Sequence, residues 1–204
     1  MPIDTEQLRS LRASTGARML DCKKALEDTG GDVDKAIVVL REKGLADAGR
    51  KAGRTTAEGL IHCYIHHDGR LGVMIELSCE TDFVARTDEF RELANEICMH
   101  IAMCAPQYLA PDQVPEAVLQ EERRINRLRA QQEGKPEKVI DKIVEGRLRK
   151  FCSEVCLLPQ PWVRDDKVTI EELVRRTIAK VGENVQVRRF VRFRIGEETQ
   201  AANA

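Results

Sequence analysis

The sequence predicts an α+β fold in which a three-helix bundle and a linker precede a core made of a three-stranded antiparallel sheet covered by helices. Apolar residues recur at helical spacing over the first 50 positions. Two alternating segments flank a turn-forming sequence at 67–70, and a third alternating segment lies at 185–195. The predicted domains are a bundle at 1–48, a linker at 49–59, an α+β core at 60–198 and a tail at 199–204.

Three short helices are predicted for the bundle, each with one apolar stripe. The stripes consist of Leu8 and Leu11, then Met19, Cys22 and Leu26, then Val33, Ala36, Ile37 and Leu40. Asp32 is the predicted N-cap of the third helix, and Gly44 is predicted to end it. Because so small a bundle has a thin core, its exposed apolar side chains are candidates for binding a partner.

Residues 49–59 contain small and charged side chains but no large apolar one. This composition predicts a tether that is helical at its start. Its basic residues, Arg50, Lys51 and Arg54, fit a solvated linker better than a contact to phosphate.

The core begins with two strands at 60–66 and 71–79, which the HDGR turn at 67–70 joins as a hairpin. The third strand is predicted to turn five residues inward: Val185, Val187, Val191, Phe193 and Ile195. It is predicted to turn three arginines outward: Arg188, Arg192 and Arg194. Helices with apolar stripes from Phe90, Ile140 and Ile170 are predicted to cover the sheet, and Gly182 is predicted to end the last of them.

A phenylalanine stands between the second strand and the next helix, in the segment ELSCETDFVAR at 76–86. Thr87 and Asp88 are the predicted caps of that helix. The junction between strand and helix then consists of Thr81, Asp82, Phe83 and Val84. A lone phenylalanine in such a place more often packs into the core, and the alternative is a side chain presented to a partner.

Composition excludes several classes of protein. The 204 residues include 33 basic and 34 acidic side chains, and the net charge of −1 predicts no general attraction to nucleic acid or membrane. The seven cysteines are odd in number and form no CxxC pair, which predicts reduced thiols in a cytoplasmic protein. Because the start has no leader pattern and no apolar stretch could span a bilayer, we expect neither export nor membrane insertion.

Catalytic and metal-binding patterns are missing from the sequence, so we predict neither an enzyme nor a cofactor or metal site. The side chains nearest to a metal-binding pattern diverge on alternating strand faces: His62, Cys63, His66 and His67. Cys152 and Cys156 fit core packing better than metal binding or pairing. The segment 115–138 interleaves arginines with glutamates, so a solvated face is favoured over a nucleic-acid patch.

Four segments together form a pattern that no single one of them shows. They are TGARMLDCKKALEDTGGDVDKAIVVLREKGLA at 15–46, KAGRTTAEG at 51–59, IELSCETDFVARTDEF at 75–90 and VGENVQVRRF at 181–190. In this order they resemble the elongation factor Ts family, the guanine-nucleotide exchange factors of elongation factor Tu. The sequence departs from the family pattern at Arg18, where glycine is usual, and at Leu20, which is often methionine.

The resemblance implies that the chain binds elongation factor Tu with GDP and promotes exchange of GDP for GTP. It implies a bundle of the ubiquitin-associated type, whose Arg12, Met19 and Leu20 bind the GTP-binding domain of that partner. It also implies that the junction displaces magnesium from the partner and disturbs its phosphate site through Thr81, Asp82, Phe83 and Val84.

The length resembles the short form of the family, which has one core module where the long form has two. The resemblance therefore implies a homodimer paired through the core domain, without direct contact to nucleic acid. The alternative is an RNA- or ribosome-binding accessory protein that uses the arginines of the third strand and of the charged segment. The balanced charge of the chain disfavours this alternative.

Overall fold

The computed structural model describes residues 4–197, apart from the side chain of Leu45, and the chain divides into two compact units. Among the described residues, the first unit consists of residues 4–62, 75–95 and 172–188, and the second of residues 63–74, 96–171 and 189–197. The predicted bundle thus shares a unit with parts of the predicted core. The domain boundaries at 48 and 59 stay predictions, while residue 198 and the tail 199–204 lie outside the described residues.

The described residues contain the predicted helices and the three predicted strands, together with a short helix at Asp82–Ala85 and two short strands at 161–169 that the sequence did not predict. The helices are α1 Thr5–Thr15, α2 Met19–Asp28, α3 Val33–Lys51, α4 Asp82–Ala85, α5 Asp88–Cys104, α6 Glu116–Gln132, α7 Glu137–Val155 and α8 Ile170–Val181, with a 3₁₀ turn at Pro111–Gln113. The strands are β1 Glu58–Ile65, β2 Leu71–Cys79, β3 Pro161–Trp162, β4 Asp165–Thr169 and β5 Val185–Arg194. Strands β1, β2 and β5 form an antiparallel sheet in the order β1-β2-β5, which confirms the α+β class.

Helices α1–α3 form the predicted bundle, and its core consists of Leu11, Cys22, Ala25, Leu26, Ala36 and Leu40. Asp32 caps α3 as predicted, since its Oδ1 accepts the Lys35 N–H at 3.1 Å. The predicted helix end at Gly44 is wrong, because α3 continues to Lys51. A Cβ atom at Gly44 would lie 3.0 Å from the Cβ of Ala179, so this glycine allows α3 to approach α8 closely.

Strand β5 corrects the prediction of which side chains face inward. Val185 and Val187 are buried, but Val191, Phe193 and Ile195 are exposed, and the Arg192 side chain is only 11% exposed. Two consecutive exposed residues, Arg188 and Arg189, interrupt the alternation. Beyond them, the partly buried residues are Phe190 and Arg192, and a strict period of two misses such a shift.

The charged segment 115–138 contains α6, which packs on α7 around a small core in the second unit. That core consists of Ala130, Ile140 and Val144. Arg147 donates to both carboxylate oxygens of Glu133 at 2.9 Å, and Arg127 pairs with Asp141. Within residues 4–197, no helix combines the length and the apolar composition that crossing a membrane requires.

His100 is a fully buried residue of α5. Its Nε2 donates to Gln160 Oε1 at 2.8 Å, and the Gln160 amide is fixed because its Nε2 donates to the Glu154 carbonyl at 2.7 Å. Burial lowers the pKa of His100 below its usual 6.5, and the bond to Gln160 opposes this only in part.

We expect the free energy of unfolding to fall as the pH drops below about 6.5. The unfolded histidine then binds a proton at its ordinary pKa, whereas folded His100 stays neutral until a lower pH. Urea unfolding at about pH 7.5 and about pH 5.5 measures the effect, which the variant His100→Gln should largely abolish. The exposed His67→Gln serves as the control and should keep the wild-type pH dependence. Equal pH profiles for the wild type and His100→Gln would contradict this prediction.

Candidate functional site

The Phe83 turn, residues 81–85, joins β2 to α5 through the single-turn helix α4. Val84 and Ala85 are buried, whereas the Phe83 side chain is 77% exposed. Successive helical residues point about 100° apart, so burial of Val84 and Ala85 directs Phe83 away from the protein. The structure thus places this ring outside the core and in contact with solvent.

Thr81 begins the turn as the N-cap of α4. Its backbone is extended, and its hydroxyl accepts the Val84 N–H at 3.5 Å. The Thr81 N–H donates to Glu183 Oε2 at 3.0 Å, and the Thr81 hydroxyl donates to Glu183 Oε1 at 2.7 Å. We call these two bonds the Glu183 clamp. They attach the Phe83 turn to residues between α8 and β5.

The residues beside the clamp are themselves held on both sides. The Asn184 N–H donates to Glu80 Oε1 at 2.7 Å, and the buried Asn184 amide donates to the carbonyls of Ala52 and Arg54 at 3.3 and 2.9 Å. Three distant stretches of the first unit therefore meet behind the Phe83 turn. A buried amide with these partners is satisfied, which makes the arrangement stable.

Cys79 adds a further contact behind the turn. Its Sγ donates to the Thr81 carbonyl at 3.1 Å. Burial, together with the negative charge of Glu183, raises the pKa of the Cys79 thiol to about 11. The protonated thiol is therefore a hydrogen-bond donor at neutral pH and not a nucleophile.

Asp82 lies at the first position of α4 and pairs with Arg86 at 2.7 Å. Both side chains are largely open to solvent, and exposed pairs of this kind contribute only about 0–1 kcal/mol. Asp82 is therefore free to exchange Arg86 for a group on a partner at little cost.

The bundle residues named from the sequence lie on α1 and α2, apart from the Phe83 turn. Arg12 is exposed on α1. Met19 and Leu20 are 39% and 79% exposed in the first turn of α2. An exposed leucine beside a buried bundle core offers apolar area to a partner without unfolding the bundle.

Arg18 links the surroundings of the bundle residues to those of the Phe83 turn. A Cβ atom at Gly182 would lie 2.5 Å from Arg18 Nη2, so the guanidinium rests against this glycine. Gly182 has φ of +84° and ends α8 as predicted. Arg18 immediately precedes Met19 of the bundle, and Gly182 immediately precedes Glu183 of the clamp. The contact between Arg18 and Gly182 therefore brings the start of α2 close to the Glu183 clamp.

A cavity of about 300 Å³ lies beside α8 in the first unit and has several basic residues in its wall. Arg41 and Arg176 both donate to Glu172, and Lys43 pairs with Asp21 at 2.5 Å. Burial opposes ionisation of Glu172, but the bonds from Arg176 and Arg41 outweigh it and hold its pKa below the ordinary value. Arg41, Arg176 and Lys43 are thus each paired with a carboxylate within the fold, although the two arginines share Glu172.

Sequence reasoning missed Glu80, Glu183 and Asn184 as parts of the site. One signal was present, since Glu183 and Asn184 stand between a helix-ending glycine and a buried strand, where polar groups need partners. Among the described residues, no group of three or more His, Cys, Asp or Glu side chains could hold a metal ion.

Comparisons with known proteins agree over nearly the whole chain. The family model Elongation factor TS matches residues 17–197. Elongation factor Ts of Coprothermobacter proteolyticus is 55% identical over 197 residues, which cover 97% of this chain and 100% of the relative. The Thermoanaerobacter sp. protein of that name is 53% identical over 201 residues, 98% of each chain. Elongation factor Ts of Carboxydothermus hydrogenoformans is 52% identical over 195 residues, which cover 96% of this chain and 90% of the relative. The chain therefore belongs to the elongation factor Ts family of translation elongation factors.

Proposed function

We propose that this protein binds elongation factor Tu carrying GDP and promotes release of GDP, so that GTP takes its place. The observation that carries the proposal is a 77% exposed phenylalanine on a turn whose neighbours are buried and hydrogen-bonded. Such a ring is ready to enter a partner without prior unfolding of its own protein. No bond in the protein or the nucleotide needs to change, so the protein acts as an exchange factor and not as an enzyme.

Thermodynamic linkage explains how binding alone releases a nucleotide. A protein that binds the empty GTPase more tightly than the GDP-bound one weakens GDP binding by the same factor. Each tenfold weakening requires about 1.4 kcal/mol of this preference. Burial of a phenylalanine contributes roughly 1.5 to 3 kcal/mol, provided that its pocket is open chiefly in the empty state. Phe83 could therefore account for about a ten- to hundredfold weakening of GDP binding.

The family resemblance suggests where the ring goes. Phe83 would enter beside the magnesium and phosphate region of elongation factor Tu, which displaces the metal from the partner. Asp82 would rearrange polar groups there, while Thr81 and Val84 hold the turn. The weak pair between Asp82 and Arg86 suits this role, because Asp82 can leave it at little cost.

We assign the second contact, on the GTP-binding domain, to Arg12, Met19 and Leu20 of the bundle. This contact supplies affinity in both nucleotide states and does not by itself drive exchange.

The complex forms in the cytoplasm, without nucleic acid or membrane. Pairing of Arg124, Arg127 and Arg147 with carboxylates is the observation that speaks against the RNA-binding alternative.

Stopped-flow release of a fluorescent GDP from elongation factor Tu tests the proposal. Addition of the protein should increase the release rate in a saturable way, and excess GDP should reverse complex formation. A release rate that is independent of the concentration of this protein would overturn the proposed function.

We further propose that the protein is a homodimer. In the second unit, an apolar groove is lined by Ile65, Leu71, Phe193 and Ile195, and the Phe193 side chain is 62% exposed. Exposed apolar groups that adjoin each other usually mark an interface. A twofold axis would bring the same groove together from both chains, as closed dimers require.

The variant Phe193→Asp should dissociate the dimer. Each chain contributes one Phe193, so the loss of its burial counts twice and amounts to about 3 to 6 kcal/mol. The dissociation constant should therefore rise by roughly a hundredfold or more, as sedimentation over a range of concentrations would show. Val139→Asp changes an exposed apolar residue of α7 outside the groove and should keep the wild-type assembly. A wild-type protein that sediments as a monomer would contradict the proposed homodimer.

A further inference from the structure

We infer that Glu183 is a positioning residue for nucleotide exchange, because it fixes the direction in which Phe83 is presented. The inference rests on the proposed function and adds a residue from another part of the chain to its machinery. Glu183 lies between α8 and β5 and does not belong to the Phe83 turn.

The clamp acts at the residue that starts α4. One carboxylate oxygen accepts the Thr81 N–H at 3.0 Å, and the other accepts the Thr81 hydroxyl at 2.7 Å. Since this hydroxyl donates to Glu183, its lone pairs stay directed to the N–H of Val84. Glu183 thereby fixes both the backbone and the capping side chain of Thr81, two residues before Phe83.

The turn needs such an external hold because α4 has only four residues. A single helical turn is unstable by itself, since nucleation fixes several dihedral angles for few hydrogen bonds. The exposed Phe83 ring has little packing that could orient it from within. Its direction therefore depends on how the backbone is held at Thr81 and on the burial of Val84 and Ala85.

Glu183 itself is held rigidly enough to serve as an anchor. Gly182 before it has φ of +84°, and Arg18 covers that glycine. Asn184 after it is buried and bonded through its N–H to Glu80 and through its amide to Ala52 and Arg54. The carboxylate is thus offered to Thr81 from a fixed backbone, and the clamp orders the turn before a partner arrives.

A side chain that is ordered in advance loses less conformational freedom when it enters its pocket. Without the clamp, the turn samples other directions, and only a fraction of encounters finds Phe83 in place. We expect Glu183→Ala to lower the rate of GDP release at saturating protein by about five- to tenfold. Affinity supplied by the bundle should change less than twofold, because α1 and α2 keep their contacts.

The experiment compares Glu183→Ala, Phe83→Ala and the double variant in GDP release from elongation factor Tu. Because Glu183 acts through Phe83, the double variant should be no more than about twofold slower than Phe83→Ala. Glu183→Gln should restore part of the rate, since its amide oxygen can still accept the Thr81 N–H. Glu89→Gln removes a carboxylate that pairs with Lys180 in the same unit, and it should match the wild type.

A second measurement does not depend on the partner. Hydrogen exchange at the amides of Thr81 and Val84 should accelerate at least about tenfold in Glu183→Ala, while bundle amides exchange as in the wild type. Equal acceleration everywhere, wild-type exchange at both amides, or full additivity with Phe83→Ala would overturn the positioning role.

The two proposals fail in different ways. If the wild-type protein leaves GDP release unchanged, the proposed function fails, and with it the role of Glu183 in exchange. If the wild type accelerates release and Phe83→Ala does not, while Glu183→Ala equals the wild type, only the role of Glu183 fails.

Discussion

Replacing Phe83 with alanine should slow GDP release from elongation factor Tu by about tenfold or more. Truncation of a central aromatic side chain in an interface commonly costs about 2 kcal/mol or more, and 1.4 kcal/mol corresponds to a factor of ten. The fold should remain intact because the ring is 77% exposed and the buried anchors of the turn are its neighbours. Stopped-flow release of fluorescent GDP at saturating protein measures the rate, and circular dichroism checks the fold.

Met103→Ala is a suitable control for that experiment. Met103 is a similarly exposed apolar residue in the second unit, and its truncation should leave the release rate unchanged. Phe83→Leu keeps part of the apolar area and should fall between alanine and the wild type. An unchanged rate in Phe83→Ala, with the wild type active, would exclude the ring as the source of the preference for empty elongation factor Tu.

Replacing Leu20 with alanine should weaken complex formation by about tenfold or more and leave the release rate at saturation unchanged. Leu20 is 79% exposed, so its burial against a partner contributes roughly 1.5 to 3 kcal/mol. If the proposed contact is made in both nucleotide states, its loss raises the dissociation constant and not the barrier to release. Titration of release rate against protein concentration separates the half-saturating concentration from the plateau.

Val38→Ala provides the matched control for the bundle. Val38 is 54% exposed on α3, and its truncation should leave the half-saturating concentration unchanged if the contact lies on α1 and α2. A lower plateau in Leu20→Ala would instead assign the bundle a direct part in nucleotide release. An unchanged half-saturating concentration would remove Leu20 from the interface.

Helix ends could be predicted where a local side chain decides them. Thr87 Oγ1 accepts the Phe90 N–H at 3.4 Å at the start of α5, and Asp32 caps α3 in the same way. Gly44 was misleading because glycine serves two purposes. It can end a helix, or it can let another helix approach, and Ala179 lies far along the chain. The change in which residues of β5 are buried was not predictable either, because periodicity cannot show where a strand passes from one environment to the next.

The candidate site was also predictable only in part, because its geometry depends on contacts between residues that are distant along the chain. Alternation and spacing locate the junction at 81–84, but they do not decide whether Phe83 points inward. That direction depends on Val84 and Ala85 occupying the buried positions. Glu183 was beyond the reach of local patterns, because 102 positions separate it from Thr81.

The first unit is put together from three stretches of chain that leave the ribosome at very different times. Phe83 belongs to the second of these stretches, whereas Glu183, which accepts the Thr81 hydroxyl, belongs to the third. Long-range closures of this kind form late in folding. A growing polypeptide therefore carries the Phe83 turn without the Glu183 clamp until Glu183 itself has been synthesised.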